Sequence, residues 1–91
     1  WRAWVKPGDG RQFFARVVEI SASRAVLRGY HVLPAGMACD LQVIIPNAGV
    51  AGLQAEVGVV VFASGDIRLE LRIESLSDEA RSLIDSRKAG G

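Results

Sequence analysis

Ile67-Arg68-Leu69-Glu70-Leu71-Arg72-Ile73-Glu74 alternates apolar and charged side chains without a break. Successive side chains of an extended strand point to opposite faces, so Ile67, Leu69, Leu71 and Ile73 share one face and the charges the other. That is a strand with one buried and one solvated side. Working outward, Ser64-Gly65-Asp66 turns the chain just before it, and Leu53 to Ala63 is a long strand candidate with Gly58 marking a bulge or a close backbone approach. Downstream, Ser77 is a good N-cap, with Asp78 and Glu79 in the first turn where the helix dipole favours negative charge. Leu76, Ala80, Leu83 and Ile84 fall on one face of that helix, Leu76 stapling against Ala80; Arg87 and Lys88 sit near its end, and Gly90 and Gly91 stop it.

Upstream, Pro7-Gly8-Asp9-Gly10 is a turn by composition. It joins a short strand, Arg2 to Lys6, to the aromatic and β-branched run Arg11 to Ile20. Ser21-Ala22-Ser23 is a tighter break before Ala25-Val26-Leu27. Leu33-Pro34-Ala35-Gly36 is another, before the apolar strand Cys39 to Ile45 that stops at Pro46; Pro46 to Gly52 reads as a loop. Six strands at short spacing followed by one helix predict an antiparallel barrel or strongly bent sheet.

The totals agree with one domain. The chain has 91 residues, 49% hydrophobic and 23% charged, with a net charge of +1; this is globular composition without a dominant field of one sign. The mean hydropathy of +0.22 is high for so short a chain, and predicts strands buried on both faces or an apolar patch kept for a partner. Cys39 is the sole cysteine and His31 the sole histidine, so an intrachain disulfide is excluded and zinc lacks a soft-ligand set. A reducing, cytoplasmic setting is expected. The longest apolar run, Val57 to Ala63, is far short of the ~20 residues of a membrane helix, and Trp1 to Gly10 carries no apolar signal core. The chain opens on Trp1 instead of Met, as a processed or excised piece would.

Little here reads as catalytic. His31 lies in a loop beside Tyr30 and reads as a surface residue; Cys39 starts a strand and reads as a small buried apolar group. Glu70 and Glu74 belong to an alternating-charge strand face, Asp78 and Glu79 to a helix start, and no phosphate loop, dinucleotide fingerprint or metal-ligand spacing appears. The expectation is a binding module without enzymatic activity, cofactor or metal. Of the two N-terminal indoles, Trp4 is expected in the core and Trp1 is left open between core and stacking surface.

From Arg16 to Leu27 the chain resembles the PilZ family, whose domains carry Asp-x-Ser-x-x-Gly between the second and third strands; the matching stretch is Glu19-Ile20-Ser21-Ala22-Ser23-Arg24. The order that follows is also similar. Leu33-Pro34-Ala35-Gly36 leads into an apolar strand, Glu56 to Phe62 resembles the family's Gly-x-Val-Val-Trp strand, Leu69 to Ile73 takes the place of its Gly-x-x-Phe strand, and Leu76 to Ile84 is similar to its closing Leu-Ser-plus-helix segment. The resemblance implies a six-stranded antiparallel PilZ-like β-barrel with one C-terminal helix over 1–91. It also implies a regulatory module of bacterial cyclic di-GMP signalling.

Family members that bind cyclic di-GMP grip it with an Arg-x-x-x-Arg segment before the first strand and close the other side with Asp-x-Ser-x-x-Gly. This chain departs from both. Glu19 stands for Asp, Arg24 for Gly, and no arginine pair with that spacing stands at the start of the chain; Arg2 with Lys6 has the spacing, without a second guanidinium. If cyclic di-GMP binds, the resemblance assigns Arg2, Glu19, Ser21 and Arg24 to it, and predicts a basic, aromatic-lined mouth that responds to Arg24→Ala. If the site has decayed, the module is an adaptor for a protein partner, with Tyr30 to Leu33 and the loop Ala48 to Leu53 as its apolar patch. The alternative is an unrelated small β-barrel binding nucleic acid or another protein; no DNA partner is expected, since near-neutral charge argues against one.

Overall fold

In a computed structural model, which describes residues 1–90 and side chains as far as Ser86, the strands close on themselves. The order along the chain is β1 (Arg2–Pro7), β2 (Phe13–Ile20), β3 (Arg24–Gly29), β4 (Ala38–Ile45), β5 (Gly49–Ala63), β6 (Asp66–Leu76) and α1 (Asp78–Gly90). Around the barrel the order is β1-β2-β3-β6-β5-β4, every neighbour antiparallel, with β4 returning to β1. The architecture is therefore a closed six-stranded antiparallel β-barrel with one C-terminal helix. Gly91 and the side chains of Arg87 and Lys88, expected at the helix end, lie outside the described part.

A barrel of six strands has a narrow interior, so inward positions mix small and large side chains. Ala3, Ala15, Ala25, Ala51 and Ala55 supply the small ones; Leu27, Leu41, Leu71, Val43 and Val57 supply the large ones. The Ile67–Glu74 alternation holds at its centre, where Leu69 and Leu71 are buried. Ser77 caps α1 as its type requires: its Oγ accepts the Ala80 N–H at 3.1 Å. The helix packs on β5 and adds Ala80 and Ile84 to the core.

Several expectations are corrected. The narrow interior has no place for an indole, so Trp4 faces outward, half-buried, its ring edge-on to Phe14 at 4.4 Å, while Ala3 and Val5 fill the inside. Leu33, expected in an exposed patch, is fully buried and joins the core, leaving Tyr30 and Val32 exposed beside it. The segment Ala48 to Leu53 is largely strand: β5 starts at Gly49, Ala51 and Leu53 point inward, and Val50 is exposed.

The turn between β5 and β6 is tight, Ala63 facing Asp66 in register, and Gly65 takes φ +84°. A Cβ at Gly65 meets nothing within 4 Å, so the cost of Gly65→Ala is backbone strain alone. A loss of about 1 kcal/mol is expected in urea denaturation.

Candidate functional site

Within the Glu19–Arg24 stretch, Ser21 and Arg24 are occupied by local structure. Ser21 donates its N–H to the Arg24 carbonyl at 2.8 Å, and its Oγ accepts the N–H groups of Arg24 (3.2 Å) and Ser23 (3.4 Å). Ser21 thus closes the β2–β3 turn. Asn47 is the non-glycine residue with positive φ among the described residues, so Arg24 sits in ordinary backbone where glycine's freedom is not needed. Its guanidinium lies on the outer face and donates to Glu70 Oε1 at 2.5 Å. Next to it Arg72 reaches Glu56 at 3.3 Å and Glu74 at 3.9 Å. A hydrogen bond with the Glu56 carboxyl holds the Glu74 pKa above its ordinary value.

Glu19 owes its position to a β-bulge. Phe13, Ala15 and Val17 point inward, and unbroken alternation would send Glu19 inward after them. The register shifts between Val17 and Glu19, so Val18 and Glu19 both face out and Ile20 returns to the core. The bulge keeps an unpaired carboxylate out of a dry barrel, where its desolvation would be costly.

The same bulge aligns a second feature. Arg2 stands opposite Arg16, Arg16 opposite Arg28, and Arg28 opposite Arg68. Four guanidinium-bearing residues thus form one row across β1, β2, β3 and β6, on strands about 4.8 Å apart. Like charges directly opposite each other are unfavourable. Partial relief comes from Asp66, which pairs with Arg28, and from Phe14, over whose ring Arg2 lies at 5.4 Å. Arg16 and Arg68 make no ion pair among the described residues.

Along this row runs an open groove of about 670 Å³, lined among others by Trp1, Arg2, Phe14, Arg16, Arg28 and Tyr30. The Trp1 carbonyl accepts the Val17 N–H at 2.8 Å, which holds Trp1 at the groove's edge beside the bulge. Phe14 and Ile44 also line a shallow apolar depression with Trp4 and Val50. The face is amphipathic: aromatic and aliphatic surface on β1, β2, β4 and β5 runs into cationic surface on β1, β2 and β3.

No protein-family model matches the chain, and comparisons with curated proteins and with solved structures give no match. The groove is thus judged on its own chemistry. Of the sequence-predicted site residues, Arg2 lines it, while Glu19, Ser21 and Arg24 do not. Arg16 and Arg28 are the groove residues that sequence reasoning missed. The signal lay in their near-symmetric placement about the Ser21–Ser23 turn, and reading it needs the bulge: counting from the Ile20–Ala25 pair without one sets Arg16 opposite Gly29.

His31 stacks on Phe13, ring centroids 4.1 Å apart, and so covers an edge of the core. Among the described residues no group of three or more His, Cys, Asp or Glu side chains is placed to hold a metal ion, and no helix is long and apolar enough to cross a membrane. Burial pushes the Cys39 thiol up from 9.0 to about 11, with Asp9 and Asp40 adding to the effect. The folded state therefore holds this proton more tightly than the unfolded chain does. The resulting stability is complete below pH 9.0 and is lost as pH rises toward about 11. Two outcomes are expected: alkylation at neutral pH proceeds much more slowly in the native protein than in urea, and Cys39→Ala flattens the alkaline arm of the stability profile. Fast native labelling would contradict the burial.

Proposed function

We propose that this chain is a non-enzymatic regulatory module of the PilZ type, and that it takes a cyclic dinucleotide such as cyclic di-GMP in the groove of Arg2, Arg16 and Arg28. The observation that carries this reading is the arginine row bordered by Trp1, Phe14 and Tyr30. A cyclic dinucleotide presents two phosphates and two planar bases. Guanidinium forks bind phosphate oxygens bidentately, and aromatic faces stack on bases. An anion also removes the repulsion that the row carries without it, so binding gains from strain already in the fold. Glu19 lies outside the groove, and Asp66, the carboxylate that lines it, is the acceptor the groove offers to a guanine edge.

Calorimetric titration with cyclic di-GMP tests this directly. Micromolar or tighter binding is expected, weakening as salt screens the row. Silence would sink the receptor reading and favour the adaptor. That second reading has its own observation: Ser21 and Arg24 are engaged within the fold, while Trp4, Phe14, Ile44 and Val50 offer an apolar surface to a protein. A mobility shift with a single-stranded oligonucleotide at low salt, alongside a silent titration, would select the nucleic-acid-binding barrel instead.

A further inference from the structure

β5 outruns its neighbour on one side. β4 covers it from Gly49 to Glu56. At Val57 the β3–β4 connection takes over: the Val57 carbonyl accepts the Gly36 N–H at 2.7 Å, and its N–H donates to the Met37 carbonyl at 2.9 Å. Past the bulge at Gly58, Val59 to Ala63 pairs with β6, Val59 opposite Glu70 and Ala63 opposite Asp66. The other edge of this stretch has no backbone partner among the described residues.

The composition of that edge says what fits it. Val59-Val60-Val61-Phe62-Ala63 carries no charge and no proline, two of the guards that blunt an exposed strand edge. Val59 is 51% exposed and Phe62 70%. A row of open N–H and C=O groups flanked by β-branched side chains is completed by another extended apolar strand, since only a strand meets every second backbone group.

We propose that Val59–Ala63 is a self-association edge, on which a second copy of this chain lays the same segment antiparallel about a two-fold axis. Such contacts are self-complementary by symmetry. With Val61 facing its own copy, Val59 falls opposite Ala63 and Val60 opposite Phe62, so no charge enters the seam. The arginine row stops one strand short, at Arg68 opposite Val61. The two copies of Arg68 then stand about 14 Å apart across two β5 strands, outside a ~10 Å Debye length. The Gly58 bulge and the Ser64-Gly65 turn bound the seam to this one segment.

The test is sedimentation velocity of the whole chain from micromolar to millimolar concentration. The mass is expected to rise toward twice that of one chain. Val61→Lys places a charge on each side of the axis, on a side chain that faces away from the core; it is expected to stay monomeric over the whole range with an unchanged melting curve. Val61→Cys is expected to form an interchain disulfide on mild oxidation, and Val50→Cys, on the part of β5 that β4 covers, is expected not to. A natural chain that stays monomeric throughout, a dimer that survives Val61→Lys, or equal cross-linking at both cysteine positions would overturn the proposal.

Discussion

Leu27→Ala is expected to remove about 2–5 kcal/mol of folding stability, toward the upper end of that range. Leu27 is fully buried on β3 and stands in register between Val17 and Leu69. Its neighbour on the inner face, Ala25, is already small and fully buried. Large-to-small changes cost least where the surroundings collapse into the gap. A closed barrel resists collapse, because moving one wall inward breaks hydrogen bonds with both adjacent strands. A single domain of this size has a total stability on the order of 5–14 kcal/mol, so the variant loses a large share of it. Urea denaturation measures the cost, and a Tm at least about 8 °C lower accompanies it. Val18→Ala, at the outward bulge, is the control and is expected to stay within about 0.5 kcal/mol of the natural chain. A cost under about 1 kcal/mol for Leu27→Ala would mean that the barrel interior is not packed as described.

Arg16→Ala is expected to move binding and stability in opposite directions. Arg16 sits between Arg2 and Arg28 and has no ion pair among the described residues. Removing it relieves like-charge contact on both sides, so the melting temperature is expected to hold or rise slightly. A guanidinium on a phosphate contributes about 1.5–3 kcal/mol, and its loss is expected to weaken cyclic di-GMP binding about 10- to 150-fold. Arg24→Ala makes the complementary case. It breaks an exposed ion pair with Glu70 that contributes at most about 1 kcal/mol, and it lies outside the groove, so affinity is expected to change less than about threefold. Calorimetry of both variants beside the natural chain separates two sites. Loss of binding in Arg24→Ala with retention in Arg16→Ala would move the ligand to the Glu19–Arg24 corner that the PilZ resemblance indicates.

How much of the candidate site was legible beforehand depends on the residue. Arg2 stands out by its four-residue spacing from Lys6, set against the Arg-x-x-x-Arg segment of the PilZ resemblance, and it lines the groove. Arg16 and Arg28 each look like ordinary outward charges on their own strands. Nothing within β2 or β3 says that they face each other, and Val17-Val18 conceals the bulge because both residues are apolar.

The sequence by itself determined most of the elements, the start of β5 excepted. The period-two run at Ile67–Glu74, the turn chemistry at Pro7–Gly10 and Ser64–Gly65 and the Ser77 cap act over a few residues, and they read the same in isolation as in the fold. The tertiary structure alone decided which strands are neighbours, and with that everything that depends on two strands at once. Alternation says which side chains share a face but not which strand lies beside them. Closure of β1 on β4 and of β3 on β6 joins segments far apart in the chain, and it sets the interior width that turned Trp4 outward. It also set the arginines in one row and left the end of β5 without a partner.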